Sequence, residues 1–195
     1  MKRICVYCGS SDAIPESFRQ AARDLGEMFN ARGYELVFGG GRVGMMGEIA
    51  DAVLAGGGRV WGVIPRKLME LEVGHTGCTE LFIVDGMHAR KTMMAQLADG
   101  FIALPGGWGT MEELFEMATW RQLGYHEKPV GLLDVDGYYS HLLAWIETAR
   151  DVGFIRPGDR DLVLTDDDPA RLLDRMAVAP PPPPLRSRKT RLTAW

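Results

Sequence analysis

The side chains best suited to chemistry follow a glycine-rich turn at residues 105–113. Three glycines come directly after a short apolar strand, and Glu112 and Glu113 follow on what the pattern predicts to be a helix. Free N–H groups and the macrodipole make such a helix N-terminus favourable for a phosphate or another anion. Because a phosphate alone would not favour two neighbouring carboxylates, the segment indicates a substrate with both a phosphate and an electron-poor carbon.

The same residues allow a purely structural interpretation. Thr110 and Glu113 have the spacing of a capping box, in which Glu113 would bond back to the amide of residue 110. For an isolated T-x-x-E sequence that interpretation would be preferred. The surrounding glycines, which remove side chains from the approach to the helix, favour the functional one.

A second glycine-rich loop at residues 39–47 contains a literal G-x-G-x-x-G between a strand and a helix. It follows the second strand rather than the first, and the next strand ends at residues 63–66 without the acid that would bind a ribose hydroxyl. Backbone groups of Gly40 and Gly41, with the charge of Arg42, are therefore predicted to contact a nucleotide or sugar phosphate rather than NAD.

Two adjacent cations, Arg90 and Lys91, stand near the start of a further predicted helix. The helix dipole disfavours cations at that end, so their presence suggests an anionic partner. For Lys91, a solvated surface charge is a reasonable alternative.

These segments belong to a regular alternation of apolar strands and helix-period stretches, which predicts an α/β fold: a doubly wound, Rossmann-like, mainly parallel sheet with helices on both faces. In such sheets, ligands bind outside the carboxyl ends of the strands. We expect one domain over residues 1–177. Residues 178–195, which include five consecutive prolines, are predicted to form a disordered basic tail.

Composition excludes several classes of protein. Of 195 residues, 24 are glycine, but they have no collagen-like period. The net charge is −4 although the last eleven residues carry only basic charges, so we expect no nucleic-acid partner. No segment predicts a membrane span or a signal peptide. The three cysteines lack a zinc-type spacing, so we expect buried thiols and no metal site. An odd number of cysteines without a disulfide pattern also indicates a cytoplasmic protein.

Together these motifs resemble the Lonely Guy (LOG) family of cytokinin riboside 5′-monophosphate phosphoribohydrolases, many of them once labelled lysine decarboxylases. The resemblance rests on P-G-G-x-G-T-x-x-E at residues 105–113, Arg90-Lys91 upstream and the glycine loop at 39–47. It also includes G-x-x-x-K-P-V-G at 124–131 and G-Y-Y at 137–139, and it extends over roughly residues 3–155.

The resemblance implies hydrolysis of the N-glycosidic bond of a purine nucleoside 5′-monophosphate, with no metal or organic cofactor. It implies catalytic roles for Arg90 and Glu113, and it suggests a homodimer. The implied substrate contacts are Glu72, Lys91, Gly107, Trp108, Gly109, Thr110, Met111, Glu112 and Thr119. Trp108 stands where relatives often have tyrosine, which leaves the preferred base open.

Other functions remain open at this point. A non-catalytic carrier of a nucleotide or of the molybdenum cofactor would share the fold but would not need Glu113, and plain AMP is an alternative main substrate. An NADP-dependent oxidoreductase would use Arg66 on the 2′-phosphate. Lysine decarboxylation is poorly supported, because nothing in the sequence identifies a pyridoxal phosphate site.

Overall fold

The computed structural model describes residues 1–71 and 73–182, so Glu72 and residues 183–195 lie outside the described chain. The strands are β1 (Arg3–Tyr7), β2 (Glu35–Phe38), β3 (Val60–Pro65), β4 (Glu80–Val84), β5 (Gly100–Ala103), β6 (Val130–Leu133) and β7 (Leu164–Asp166). The α-helices are α1 (Glu16–Arg32), α2 (Gly44–Ala55), α3 (Arg66–Glu70), α4 (Met87–Leu97), α5 (Trp108–Leu123), α6 (Ser140–Asp151) and α7 (Pro169–Ala177). Short 3₁₀ helices lie at Val135–Gly137 and Pro157–Leu162.

These strands form one sheet in the order β4-β3-β2-β1-β5-β6-β7, and every pairing is parallel. The predicted doubly wound α/β fold is confirmed. The strand order reverses at β1, which lies between β2 and β5. That reversal opens a crevice at the carboxyl edge of the sheet, where ligands of such folds bind.

The core lies on both faces of the sheet. Side chains of α1, α2 and α7 cover one face, with Phe29 and Ile49 fully buried there. Helices α4, α5 and α6 cover the other, around Met94 and Met117. This two-sided burial explains why the strands are almost continuously apolar.

Cys5 in β1 and Cys8, the residue directly after this strand, follow the alternation of a strand. Cys5 packs into the α4–α5 side of the core and Cys8 into the opposite side. Both thiols are free and buried, and burial raises the pKa of each well above its usual range. The C-x-x-C spacing therefore marks two packing residues, as predicted.

Local signals account for most helix boundaries. Gly33 and Gly124 end α1 and α5 in the left-handed conformation that glycine tolerates best. Asp168 caps α7 by accepting a hydrogen bond from the amide of Arg171, and Pro169 occupies the first helical position. The last strand, at Leu164–Asp166, follows the 3₁₀ helix at Pro157–Leu162.

The residues after α7 do not leave the body at once. The backbone carbonyl of Pro180 accepts a hydrogen bond from Arg121 Nη2 at 2.7 Å. Most of the tail predicted at residues 178–195 falls on residues 183–195, which lie outside the described residues. Within the described ranges, none of the helices has the length and apolar character needed to cross a membrane.

Candidate active site

Three loops meet at the crevice, after β1, β2 and β5. The amide of Gly9 donates to the carbonyl of Pro105 at 3.0 Å, which joins the first loop to the third. The amide of Met45 donates to the carbonyl of Gly9 at 3.1 Å, and the amide of Gly44 donates to Asp12 Oδ1 at 3.0 Å. These bonds bring together glycine-rich segments that are about sixty residues apart in sequence.

Glu113 lies one turn into α5, on the side facing α4, with 9% of its surface exposed. No described residue donates a hydrogen bond to its carboxylate. Burial is the main cause that raises the pKa of Glu113 to about 7. The positive charges of Arg90 and Lys91 lower this pKa, and the negative charges of Glu112 and Glu116 raise it. A carboxyl group that is half ionised near neutral pH can accept or donate a proton there.

The predicted capping box does not form. Helix α5 begins at Trp108 with Gly107 as its N-cap, and no side chain caps it. Thr110 is therefore inside the first turn and buried, with its hydroxyl against the backbone of Gly106. Since Glu113 has no capping task, the structural alternative for this residue is removed.

The guanidinium of Arg90 is held at the ends of two strands. Its Nε donates to the carbonyl of Val63 at 3.2 Å, and its Nη2 donates to the carbonyl of Gly39 at 2.9 Å. A β-carbon at position 39 would lie 1.7 Å from Arg90 Nη2, so a larger residue there would displace the guanidinium from this position. Arg90 is thus fixed in one orientation, and its charge acts on Glu113 across the crevice.

Lys91 is not a solvated surface charge. It is buried, and its ammonium group forms ion pairs with Glu112 and, at 3.1 Å, with Glu116. Burial alone would lower the pKa of Lys91, but the hydrogen bonds that its ammonium group donates to the two glutamates outweigh that effect and raise it. The pair links α4 to α5 and places a fixed positive charge behind Glu113.

The glycine turn before α5 is open to solvent. Gly107 and Gly109 are exposed, and a β-carbon at either position would have no neighbour within 4 Å. Neither has a positive φ, so the backbone does not require glycine there. The free N–H groups of the first turn therefore face space that an anion can fill.

The loop after β2 is packed instead. Gly40 has a φ of +73° and is buried against Ile64 and Leu81, while Gly41 is buried beside Met46. The amide of Arg42 donates to the carbonyl of Val73 at 2.8 Å. Contact of these three residues with substrate stays a prediction.

Of the other predicted contact residues, two lie near the open turn and one lies on the outer surface of α5. Trp108 is 94% exposed beside the open turn, and Met111 is half-buried on the next turn of α5. Thr119 is exposed on the outer surface of α5, and its position six residues after Glu113 turns it to another side of the helix. Glu72 lies outside the described residues, so its contact remains untested.

Two tyrosines support the open turn from outside the predicted set. Tyr138 donates its hydroxyl hydrogen to the carbonyl of Gly106 at 2.8 Å, and Tyr139 donates to the carbonyl of Leu104 at 2.6 Å. Their G-Y-Y sequence was part of the motif resemblance, but spacing alone did not show that they brace residues 104–106. Among the described residues, no group of three His, Cys, Asp or Glu side chains is arranged to hold a metal ion.

The fold and the site define a class: a doubly wound α/β protein with an anion-accepting helix start and an acid–base carboxylate at its switch crevice. A family model described as "possible lysine decarboxylase" matches residues 46–176 of the chain. Together with curated relatives that are about half identical, this match shows that the chain belongs to the LOG family.

One such relative is a probable cytokinin riboside 5′-monophosphate phosphoribohydrolase of Oryza sativa subsp. japonica, 52% identical over 174 residues, or 89% of this chain and 78% of the relative. A cytokinin riboside 5′-monophosphate phosphoribohydrolase of Arabidopsis thaliana is 47% identical over 180 residues, or 92% of this chain and 79% of the relative.

Solved structures with the same fold are more distant in sequence. The molybdenum cofactor binding protein from Rippkaea orientalis has a TM-score of 0.70 and 22% identity, covering 90% of this chain and 95% of that one. The molybdenum cofactor carrier protein of Chlamydomonas reinhardtii has a TM-score of 0.67 and 20% identity, covering 90% and 96%. At this identity the likeness concerns the fold alone.

Proposed function

We propose that this protein is a phosphoribohydrolase that cleaves the N-glycosidic bond of purine nucleoside 5′-monophosphates of the cytokinin riboside type. Water is consumed, and the products are the free base and ribose 5-phosphate. The observation that carries the proposal is Glu113, a buried carboxyl group without a hydrogen-bond partner among the described residues, whose pKa is about 7 and which lies one turn below an open glycine turn. The names of the curated relatives support the same reaction.

The 5′-phosphate fits the start of α5. The first-turn N–H groups and the open space at Gly107 and Gly109 supply hydrogen-bond donors without side-chain obstruction. Glu113 follows Thr110 by three residues, which is about 4.5 Å along a helix axis. A nucleotide whose phosphate lies on the first turn therefore has its ribose beside the Glu113 carboxylate.

Glu113 then acts at the anomeric carbon. Glycosidic cleavage passes through an oxocarbenium-like state, which a nearby carboxylate stabilises electrostatically. The ionised carboxylate also accepts a proton from the attacking water, whose oxygen bonds to the anomeric carbon as the bond to the base nitrogen breaks. Within the turnover this proton is released again and the departing base nitrogen takes up one proton, so that free base and ribose 5-phosphate result; a pKa near 7 suits a group that takes up and releases a proton in this way.

Arg90 acts on the departing base and orients the substrate. Its fixed guanidinium has donors beyond those bound to the carbonyls of Val63 and Gly39. These donors offset negative charge that develops on the base when the bond breaks. Lys91 contributes through its ion pairs, which hold Glu112 and Glu116 beside Glu113.

A carrier protein of the same fold is the second candidate. The molybdenum cofactor proteins share the fold, but binding without reaction gives no reason for a buried carboxyl group with a pKa near 7 at the anion site. The curated relatives that share about half of their residues with this chain are named as phosphoribohydrolases, which also favours the hydrolase over the carrier.

The direct test is to incubate the protein separately with AMP, with isopentenyladenosine monophosphate and with the two unphosphorylated nucleosides, and to quantify free base by chromatography. We expect release from the monophosphates only, and their kcat/KM ratio identifies the preferred base. Release from none of them would refute the hydrolase. Equal release from nucleosides would refute phosphate binding at the α5 turn.

A homodimer in the cytoplasm is also part of the proposal. Large apolar side chains are exposed along the outer surface of α5 and α6, including Phe115, Leu123 and Trp145. A second copy covering this surface would also enclose Thr119, the predicted contact that faces away from Glu113. Light scattering of the purified protein measures its oligomeric state. Cell fractionation measures its location, and the three free cysteines agree with the reducing cytoplasm.

A further inference from the structure

His75 is a buried histidine whose two ring nitrogens both have partners. Nε2 lies 2.9 Å from Asp51 Oδ1 on α2, and Nδ1 accepts a hydrogen bond from the amide of Gly77 at 3.2 Å. Because Nδ1 is an acceptor, the hydrogen of the neutral ring is on Nε2 and is donated to Asp51. The ring also packs edge-on against Phe38, the last residue of β2, at 6.2 Å between centroids.

The backbone around His75 is bound to the glycine loop after β2. The amide of His75 donates to the carbonyl of Gly40, and the amide of Arg42 donates to the carbonyl of Val73, both at 2.8 Å. Between them, Gly41 and Gly74 form an antiparallel bridge. The two loops thus form a short ladder, which is kept in place by the His75 side chain through α2 and β2.

This ladder adjoins the carbonyl that orients Arg90. Arg90 Nη2 donates to the carbonyl of Gly39, the residue directly before the ladder. A displaced glycine loop would move that carbonyl and with it the guanidinium. A path of contacts therefore runs from Asp51 through His75 and the glycine loop to Arg90.

We propose that His75, held by Asp51, is a positioning residue that fixes the glycine loop and thereby orients the Arg90 guanidinium for reaction. This inference rests on the proposed phosphoribohydrolase function. His75 itself touches no reacting atom in this assignment. A core histidine without such a role would also be buried and hydrogen-bonded, so the test must separate catalysis from folding.

The experiment measures kcat, KM and melting temperature for His75→Leu, His75→Gln and the exposed control His141→Leu on α6. Misplacing a catalytic group by about 1 Å can cost about 10²-fold in rate. We expect His75→Leu to lower kcat by about 10- to 100-fold in protein that is still folded. His75→Gln, which keeps a donor for Asp51, restores part of the loss, and His141→Leu retains wild-type constants.

A double-mutant cycle tests the path itself. If His75 acts through Arg90, His75→Leu in an Arg90→Ala background adds much less than its effect in the wild type. Asp51→Ala gives a smaller loss of the same kind, and Asp51→Asn, which keeps an acceptor oxygen, restores it. A variant that only melts earlier with unchanged kcat, or effects that multiply independently with Arg90→Ala, would overturn the inference. An inactive wild type would instead refute the proposed function.

Discussion

The two glycine-rich loops, after β2 and before α5, look alike in sequence but differ in how closely they are packed. In the loop after β2, a β-carbon at Gly44 would lie 2.7 Å from the backbone of Ser10, and Gly44 has a φ of +61°. At the start of α5, Gly107 and Gly109 have free space and no positive φ. The literal dinucleotide-type motif is thus tightly packed, whereas the plainer turn leaves room for a ligand, and substrate contact by Gly40, Gly41 and Arg42 stays a prediction. Glycines that packing does not require are the better guide to the binding site.

The largest expected effect concerns the carboxylate below the open turn. Glu113→Gln removes the base and the stabilising charge, so we expect kcat to fall by about 10²–10⁴-fold. Base release under saturating nucleotide measures it, and circular dichroism verifies the fold. Glu27→Gln, at an exposed position of α1, is the matched control and keeps full activity. Near-normal turnover of a folded Glu113→Gln protein would contradict the assignment.

Arg90 tests the link between the two loops. Arg90→Lys keeps a positive charge but not the planar fork that bonds both carbonyls, and we expect a loss of about 10²–10³-fold in kcat/KM. Steady-state kinetics measure the loss. Lys67→Arg, on α3, makes the reverse exchange at an exposed position and serves as the control. Equal activity of Arg90→Lys would show that charge alone is enough.

Alanine substitutions compare the loops directly. Gly44→Ala meets the left-handed penalty of about 1–2 kcal/mol as well as close backbone contacts, so we expect the melting temperature to fall by at least about 4 °C. Gly109→Ala lies in the first turn of α5, where alanine favours the helix by up to about 1 kcal/mol, so the melting temperature is kept or raised. Gly109→Ala should instead raise KM for the nucleoside monophosphate. Thermal melts and steady-state kinetics of both variants check these expectations. The contrast between a packed loop and an open turn would be wrong if Gly44→Ala and Gly109→Ala changed the melting temperature and KM equally.

Glu113 also predicts opposite trends of activity and stability with pH. Its pKa is raised in the folded protein from 4.5 to about 7, so protonation favours the folded state: this stabilisation is complete below pH 4.5 and is lost as pH rises through 7. The full difference corresponds to at most about 3–4 kcal/mol. Because the base must be ionised, kcat/KM should increase over the same range. Denaturant unfolding of the wild type and of Glu113→Gln from pH 5 to 8 isolates this contribution, since the variant lacks it.

Trp108 should give the smallest effect on stability. Its side chain is 94% exposed beside the open turn, so Trp108→Tyr should change the free energy of unfolding by no more than about 0.5 kcal/mol. If the indole contacts the base, the ratio of kcat/KM for isopentenyladenosine monophosphate and AMP changes by about tenfold or less. An unchanged ratio would place the base elsewhere.

Most of the fold could be predicted from sequence because its signals are local. Apolar runs of strand length, helical periodicity and the Asp168-Pro169 start of α7 are all encoded within a few residues. The T-x-x-E pattern at residues 110–113 offers a cap at Thr110, but α5 begins two residues earlier, at Trp108. In the structure, the exposed Trp108 and Gly109 join the helix, and Thr110 packs its hydroxyl against Gly106.

The site was only partly predictable. Motif resemblance selected Arg90 and Glu113, but it could not show that two backbone carbonyls hold Arg90 or that Lys91 is buried between two glutamates. His75 belongs to no motif in the sequence, since its partner Asp51 lies 24 residues away on another element. Such partners are distant in sequence and leave no pattern in a window of a few residues.

The sequence by itself determined the alternation of strands and helices, the loops at the carboxyl edge and the residue types available for chemistry. Only the tertiary structure decided which glycines are packed and which are open, and that burial raises the pKa of Glu113 to about 7. The physical reason is that backbone preference is local, whereas burial and electrostatic contact depend on atoms that distant segments bring together.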